Sequence, residues 1–475
     1  MFGLNCCFPF VESAENHKAW IGNAQIDMRL GMTEHCRDLD LVCLVCRSTG
    51  FAGIGYLRRK KSLAIHKQTR SLSRIHLKLP KVMSKQVSIR LGLENALEGA
   101  DALFGDERVG LICNQASVDH CFRHAADLFS QHPRINLTTL FGPQHGIRGD
   151  VQDNMIESGH GTDKRTGLPV YSLYSETRKP TSEMLRDVDV LVFDLQDVGC
   201  RVYTFIYTMA LAMEACKENG KRFIVLDRPN PINGIDVEGS LLEEGHESFV
   251  GLYPIPMRHG MTAGELAEMF NQLFAIGCDL QVVPMSGWSR DLFYDETDGP
   301  WVMPSPNMPT VDTAVVFSGT VYFEGTAISE GRGTTRPFEI VGGPYVDSSR
   351  LASSLEALNL PGVVFRPIEF IPTFQKCVDR NCGGVFLHVT DRRVFKPVLT
   401  GLAVVKSIIE NHRDDFLWKD PPYEYEYDRN PFDVIAGNLS VRRICEGGGS
   451  IEDLREDCEK DVDGFKRLKE RFHIY

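Results

Sequence analysis

The sequence predicts an α/β protein, with a parallel three-layer first domain followed by a smaller α+β domain. Residues 188–233 carry most of this prediction. The apolar run at 188–193, rich in Val and Leu, is typical of a strand covered on both faces. A helix-periodic segment follows at 204–218, and a second apolar run at 223–226 completes a βαβ unit.

Two further apolar runs, at 108–113 and 136–141, come earlier in the chain and follow an amphipathic helix predicted at 91–103. All four predicted strands run into loops of Asn, Gln, His, Arg or Asp. In open α/β sheets, ligands bind outside the carboxyl ends of the strands. These loops therefore predict one polar crevice along one edge of a parallel sheet.

The second domain begins after a proline-rich passage, PWVMPSPNMPT, at 300–310. Its prolines exclude a helix and a central strand, so we predict domains at 86–310 and 311–475. Before this boundary, Thr262 and Glu265 form the pattern of a capping box at the start of a helix. Beyond it we expect strands at 314–317, 363–367 and 384–389, and helices at 404–411 and 451–472.

Residues 1–85 differ from the rest of the chain. Every charged residue from Arg58 to Lys85 is basic, five cysteines fall in this segment, and hydrophobic periodicity is poor. We interpret it as a poorly ordered extension or a mis-annotated start, with Met83 as a natural initiation site. A targeting role is the alternative, because arginine-rich, acid-poor segments resemble transit peptides.

Composition limits the classes of partner. Of the 475 residues, 43% are hydrophobic and 24% are charged, which is ordinary for a globular protein. The net charge of −12 argues against nucleic acids and anionic membranes, and no apolar run approaches the roughly 20 residues of a membrane helix. The 14 cysteines lack repeated zinc-type spacing and favour a reduced, cytoplasmic setting with free thiols.

The sequence lacks the common cofactor and hydrolase motifs. It contains no GxGxxG after a strand, no Walker A motif, no HExxH and no GxSxG, so we expect no cofactor and no metal. Carboxylates, histidines and arginines remain as candidates. In the first domain they are Asp150, Asp153, Asp194, Asp197, Asp227, Glu238, His145 and His259; in the second they are Glu324, Glu330, Glu339, Arg332 and Arg336.

Paired carboxylates suit general acid/base catalysis, as in glycoside hydrolysis, and arginines suit an anionic ligand. Each candidate also has a structural alternative. Asp194 and Asp197 could be helix caps or turn formers, and Glu330 could pair with Arg332 or Arg336. His145 could be a hydrogen-bonding loop residue, and the acidic cluster could bind a metal ion.

Ten stretches, found in order from about residue 87 to the C-terminus, carry a resemblance to a known family. They are LFGPQHGIRGDVQDN, TGLPVYSLY, VDVLVFDLQDVGCRVYTFIYTM, VLDRPNPING, VEGSLL, RHGMTAGELA, WVMPSPNMPT, EGTAISEGRGTTRPFE, LHVTDR and YEYDRNPFD. In them the chain resembles the exo-β-N-acetylmuramidase glycoside hydrolase family. The resemblance implies a Rossmann-like first domain without a dinucleotide and an active site in a cleft between the domains. It also implies release of N-acetylmuramic acid from non-reducing ends of peptidoglycan fragments, with arginines to bind the lactyl carboxylate of the sugar.

The chain departs from the family at one position. Better-known members have a Glu in a PEHG motif, a natural acid/base residue, whereas this chain has Gln144 in PQHG. A glutamine cannot transfer a proton in that way. Either another carboxylate takes over the role, or the chain is a catalytically inactive sugar-binding homologue.

We predict a small carbohydrate substrate and one cleft lined by Gln144, His145, Arg148, Asp194, Asp197, Arg201, Glu324, Glu330 and Arg332. Glu330, on a glycine-flanked loop, is the predicted acid, and Asp194 is predicted to stabilise the oxocarbenium charge. The predicted catalytic set is completed by Asp197, His145 and Gln144. The predicted substrate-binding set is Arg148, Arg201, Asp227, Glu324, Arg332 and Arg336.

Overall fold

The computed structural model describes residues 86–147 and 159–475 in full, together with the backbone of four short strands nearer the N-terminus. The chain forms two compact units, Met1–Pro80 and Lys81–Tyr475. In the first unit, strands β1 (His17–Ile21) and β2 (Ala24–Met28) form one antiparallel hairpin. Strands β3 (Leu44–Ser48) and β4 (Phe51–Gly55) form another. Our other expectations for residues 1–85 lie outside the described residues.

The second unit contains twelve strands in its described part. They are β5 (Arg108–Cys113), β6 (Asn136–Gly142), β7 (Gly161–Thr162), β8 (Pro169–Ser172), β9 (Val190–Asp194), β10 (Arg222–Leu226), β11 (Glu238–Leu241), β12 (Pro256–Arg258), β13 (Asp279–Val283), β14 (Ile340–Gly343), β15 (Val363–Phe370) and β16 (Cys382–Val389). Seven of them form a sheet in the order β13-β10-β9-β5-β6-β8-β7. All its pairs are parallel except β7 with β8.

Twelve helices surround the sheets in the same described part. They are α1 (Gly92–Glu98), α2 (Ala100–Phe104), α3 (Ala125–Gln131), α4 (Phe205–Glu218), α5 (Ala263–Leu273), α6 (Val311–Thr320), α7 (Ser348–Glu356), α8 (Pro397–Asn411), α9 (Pro431–Ala436), α10 (Ser440–Glu446), α11 (Ile451–Glu459) and α12 (Val462–Lys469). Short 3₁₀ turns lie at Tyr294–Glu296, Val321–Gly325 and Glu470–Phe472. None of the helices described is long and apolar enough to cross a membrane.

The alternation of side chains along the central strands confirms the predicted three layers. Val190 and Val192 of β9 pack into a core with α1, α2 and α3. Leu191 and Phe193 of the same strand pack into a second core with α4 and α5 on the other face. Because both faces are covered, all five residues of β9 are buried, as its continuous apolar run predicts.

The capping box before α5 is present as predicted. The Thr262 hydroxyl accepts from the Glu265 N–H at 3.3 Å, and the Glu265 carboxylate accepts from the Thr262 N–H at 3.1 Å. Helix α5 therefore begins at a fixed point beside the carboxyl end of β10.

The smaller C-terminal part contains an antiparallel sheet of order β14-β16-β15, which packs against α7. One prediction here is wrong: residues 314–317 belong to helix α6, not to a strand. A four-residue apolar run does not distinguish a strand from a buried helix. The Thr310 side chain caps α6, and Gly319 lies directly against Gly401 of α8, so close helix packing decides the outcome.

Candidate active site

A pocket with an empty volume of about 510 Å³, open to solvent, lies where several segments of the second unit meet. The segments are the loop after β6, the N-terminal end of α4, the end of α6 with its 3₁₀ turn, and a tight turn before α9, together with residues from the loops at 250, 305–308 and 332–338. The polar residues that line it are Gln144, His145, Tyr203, Thr204, Ser305, Asn307, Glu324, Arg332, Tyr423 and Glu424.

Gln144 is held by hydrogen bonds on both ends of its amide. Its Nε2 donates to Tyr174 Oη at 3.1 Å and to Glu424 Oε1 at 3.3 Å. Its Oε1 accepts from the Thr204 hydroxyl at 2.7 Å. Tyr174 Oη in turn donates to Glu424 Oε2 at 2.6 Å. Both oxygens of the buried Glu424 carboxyl are therefore fixed by neutral donors.

The surroundings of Glu424 favour its protonated form. Burial raises the pKa of this carboxyl to about 7, although the hydrogen bonds from Tyr174 and Gln144 oppose the rise. The nearby charge of Glu324 adds to the rise, and the cation of Arg178 counters it. A substantial share of Glu424 thus carries a proton near neutral pH, unlike an ordinary glutamate.

Glu424 lies at the tip of a tight turn with an unusual backbone. Tyr423 and Glu426 exchange two backbone hydrogen bonds, of 3.0 and 2.9 Å, and φ is 45° at Glu424 and 68° at Tyr425. Two successive positive φ values are typical of type I′ turns, which favour Asn-Gly because side chains are strained there. Such strain costs about 1–2 kcal/mol per residue and persists only where the surroundings enforce it.

Glu324 faces the same pocket in the opposite protonation state. Burial disfavours its charge, but Arg332 and the hydrogen bond from Tyr423 outweigh burial and hold its pKa below the usual value. Arg332 Nη2 donates to Oε1 at 2.5 Å, and Tyr423 Oη donates to Oε2 at 2.7 Å. The pocket therefore combines an ionised carboxylate with a carboxyl that keeps its proton near pH 7, the arrangement that separates acid and base roles.

Glu330 is buried but does not line the pocket. Its Oε1 lies 3.1 Å from Arg332 Nε, and its Oε2 lies 2.6 Å from Lys376 Nζ. Lys376, Glu330, Arg332 and Glu324 thus form a buried row of alternating charges. The contacts of Glu330 match its structural alternative as an ion-pair partner.

Asp194, at the end of β9, and Asp197, in the next loop, both pair with neighbouring residues. Asp194 makes a two-point pair with Arg228, with distances of 2.6 Å to Nε and 2.9 Å to Nη2. Asp197 accepts from the Gly199 N–H at 2.7 Å and lies 3.3 Å from His259 Nε2. Neither aspartate lines the pocket.

Arg201 and Asp227 also hold the fold together. The fully buried guanidinium of Arg201 donates to four backbone carbonyls, those of Ser240, Ile255, Ile435 and Ala436. Asp227 accepts from the hydroxyls of Thr262 and Tyr475, both at 2.7 Å, and from the Gly264 N–H at 2.8 Å. Burial raises the pKa of Asp227 to about 6, but this carboxyl caps α5 away from the pocket.

The structure brings together only part of the predicted site. The predicted residues that line the pocket are Gln144, His145, Glu324 and Arg332. Those that do not line it are Asp194, Asp197, Arg201, Asp227, Glu330 and Arg336. Arg336 lines a separate surface depression, where it pairs with Glu339 at 3.3 Å. Arg148, with Asp150 and Asp153, lies outside the described residues.

Sequence reasoning missed Glu424, Tyr423 and Tyr174. Glu424 lies in YEYEYD, with no histidine or glycine beside it to mark a catalytic turn. The available signal was its position next to the family-like stretch YEYDRNPFD, which begins at Tyr425. Among the residues described, no group of three or more His, Cys, Asp or Glu side chains could hold a metal ion.

Comparison with known proteins places the chain in one family. The family model "Exo-beta-N-acetylmuramidase NamZ, N-terminal" matches residues 109–312, and the corresponding C-terminal model matches residues 315–475. A peptidoglycan beta-N-acetylmuramidase, NamZ, from Bacillus subtilis (strain 168) is 48% identical over 392 residues, covering 82% of this chain and 92% of the relative.

Two crystal structures of DUF1343 family proteins from Bacteroides fragilis share the fold. One is 38% identical with a TM-score of 0.75, and covers 82% of this chain and 100% of its own. The other is 27% identical with a TM-score of 0.64, and covers 82% and 99%. With both family models matched in order over most of the chain, the protein belongs to the exo-β-N-acetylmuramidase NamZ family.

Proposed function

We propose that this chain is an exo-acting β-N-acetylmuramidase that releases N-acetylmuramic acid, or a related amino sugar, from non-reducing ends of peptidoglycan fragments. Family membership and the 48% identity to the Bacillus subtilis enzyme support the activity. The observation that carries the mechanism is the pair of pocket carboxyls, Glu424 and Glu324, whose pKa values are shifted in opposite directions. Such pairs mark acid and base assignments in glycosidases.

In this proposal Glu424 is the general acid. Its proton passes to the glycosidic oxygen as the bond from that oxygen to the anomeric carbon breaks, so the leaving sugar departs as a neutral alcohol. The ionised Glu324 stabilises the positive charge that develops at the anomeric carbon. Water then supplies the hydroxyl of the released sugar, and its spare proton restores Glu424.

Gln144 supports the acid in this scheme. Its amide donates to Glu424 Oε1 and cannot ionise, so it holds the carboxyl without adding another negative charge to the pocket. The Glu424–Glu324 pair therefore does not need a carboxylate at position 144. This favours an active enzyme over the alternative of an inactive sugar-binding homologue.

Arg332 receives a revised role. Its guanidinium is occupied by Glu324 and Glu330, so we assign it to keeping Glu324 ionised rather than to binding the lactyl carboxylate. The nine cysteines in the described part of the chain are free thiols, and the cytoplasmic setting stays a prediction from the sequence.

A chromogenic β-N-acetylmuramide tests the proposal. We expect release of the aryl group and of free N-acetylmuramic acid, with a preference over the matching N-acetylglucosaminide, which lacks the lactyl group. Saturable binding of the muramide without turnover would instead support the inactive alternative. Turnover of both glycosides at equal kcat/KM would contradict the assigned sugar.

A further inference from the structure

Arg178, in the loop between β8 and β9, lies among three aromatic rings. Its guanidinium carbon is 3.6 Å from the centroid of the Tyr425 ring, 5.5 Å from that of Tyr174 and 5.2 Å from that of Phe249. The rings also contact each other, with Tyr174 edge-on to Tyr425 and tilted against Phe249. The shortest of these distances corresponds to a close cation–π stack.

The polar groups of Arg178 do not explain its position. Its Nε and Nη2 are buried and have no hydrogen-bond acceptor among the residues that the structure describes. No carboxylate in those residues pairs with the guanidinium either, whereas Arg228 pairs with Asp194 and Arg332 pairs with Glu324 and Glu330. A buried donor without a partner requires a reason, and the aromatic contacts are the interactions that remain.

The rings around Arg178 belong to the immediate support of Glu424. Tyr425 is the next residue in the strained turn, and the Tyr174 hydroxyl donates to the Glu424 carboxyl. Glu424 and Tyr425 both hold backbone conformations that side chains disfavour, so some contact must keep the turn closed. A flat cation stacked on Tyr425 provides this contact from outside the pocket, because Arg178 itself does not line it.

We propose that Arg178 is a positioning residue, which clamps the Tyr423–Glu426 turn by stacking on Tyr425 and so aims the Glu424 carboxyl into the pocket. The proposal rests on the proposed role of Glu424 as the acid. It assigns Arg178 no contact with the substrate, so its loss should change kcat more than KM.

The charge of Arg178 gives the proposal a second consequence. Among the described residues, the polar and charged groups that act on Glu424 include Tyr174, Gln144, Glu324, Tyr423 and Arg178. Burial is the main cause of the raised pKa of Glu424, Glu324 adds to it, and Arg178 is the cation that lowers it. Removing the cation should raise the pKa further, so the acid form should persist to higher pH.

The test compares Arg178→Gln, which removes charge and stack, with Arg178→Lys, which keeps the charge but loses the planar stack. Arg186→Gln is the matched control, because this exposed arginine of the same loop pairs only with Glu183 in the described part of the chain. For each variant the pH dependence of kcat and KM is measured on the chromogenic muramide, with the urea midpoint as a stability readout.

We expect Arg178→Gln to lower kcat about tenfold or more and to change KM less than about threefold. The basic limb of its kcat-versus-pH profile should move upward by about half a pH unit or more. Arg178→Lys should lower kcat but keep the limb close to that of the unmodified enzyme. Arg186→Gln should match the unmodified enzyme in all three measurements.

A lower urea midpoint in the Arg178 variants, with unchanged kcat and an unchanged basic limb, would overturn the proposal and leave only a structural role. If Glu424 is not the acid, Glu424→Gln should retain full activity, and this result distinguishes a wrong acid assignment from a wrong role for Arg178. If Glu424→Gln is inactive while both Arg178 variants behave like the control, only the clamp is wrong.

Discussion

Two groups of buried acids in the described part of this protein use their charge differently. At the carboxyl ends of β9 and β10, Asp194 and Asp227 have their oxygens occupied by Arg228, by hydroxyls and by backbone N–H groups. At the Tyr423–Glu426 turn, Glu424 is held by two neutral donors and faces an open pocket. Burial alone therefore does not distinguish a structural acid from a candidate catalytic one.

The nature of the partners makes the difference. A carboxylate paired with a guanidinium at two points, as Asp194 is, has both oxygens engaged by its partner and does not face the pocket. Glu424, whose side-chain donors among the described residues are Tyr174 and Gln144, keeps a proton near neutral pH and can lose it to a substrate oxygen. The strand ends thus stabilise the sheet edge, and the turn supplies the proposed chemistry.

The largest expected effect is on activity at the turn. Glu424→Gln should lower kcat by about 10²-fold or more, because a glutamine cannot donate the proton. Glu426→Gln, two residues along the same turn, is the control, since Glu426 pairs with Arg429 and does not line the pocket. It should keep kcat within about twofold, as a partly exposed ion pair contributes little. Equal losses in the two variants would show that the turn, not the acid, is being damaged.

Substitution of an acid at a strand end should lower the stability of the protein. Asp194→Asn leaves the buried Arg228 without its counter-charge, and we expect a loss of about 3–5 kcal/mol in the free energy of unfolding, measured in urea. Asp189→Asn is the control, because its pair with Arg108 is partly exposed and should contribute about 1 kcal/mol or less. If Asp194→Asn unfolds like its control but loses turnover, Asp194 belongs to the chemistry and the comparison fails.

The row of charges behind Glu324 should give the smallest effects on activity. Glu330→Gln and Lys376→Met each leave a buried charge without its closest partner, so each should destabilise the protein. The double variant should lose less than the sum, with a coupling of about 1–3 kcal/mol in urea unfolding. We expect kcat of folded Glu330→Gln to fall by less than about tenfold; a loss of 10²-fold would restore Glu330 as the acid.

Much of the fold can be predicted from the sequence, because parallel strands covered on both faces consist of continuous apolar runs. The strands at β5, β6, β9 and β10 were predicted within two residues of their observed bounds. Helix α6 was mistaken for a strand because its apolar run is short and the helix is buried almost all round against α8. Packing between segments that are distant in sequence determines the conformation of α6, and hydrophobic periodicity does not report such packing.

The site was only partly readable. The motifs predict Gln144 and Glu324, which line the pocket, as site residues, but the acid proposed here lies 280 residues from Gln144 along the chain. Its left-handed turn is made by Glu424 and Tyr425, where sequence rules expect Asn and Gly. Tyr174, Gln144 and Arg178 make the contacts that hold this turn. Because these residues lie far from the turn in the sequence, the evidence for the turn appears only in the folded structure.

The pH dependence of kcat/KM on the chromogenic muramide tests the central claim most directly. A protonated Glu424 is required, so activity should fall as pH rises through about 7, where the folded carboxyl loses its proton. The acidic limb should lie below about 4.5, since the pKa of Glu324 is lowered from that value. In Glu424→Gln the residual activity should show no limb near pH 7. A limb near pH 7 that survives this substitution would contradict the assignment of Glu424 as the acid.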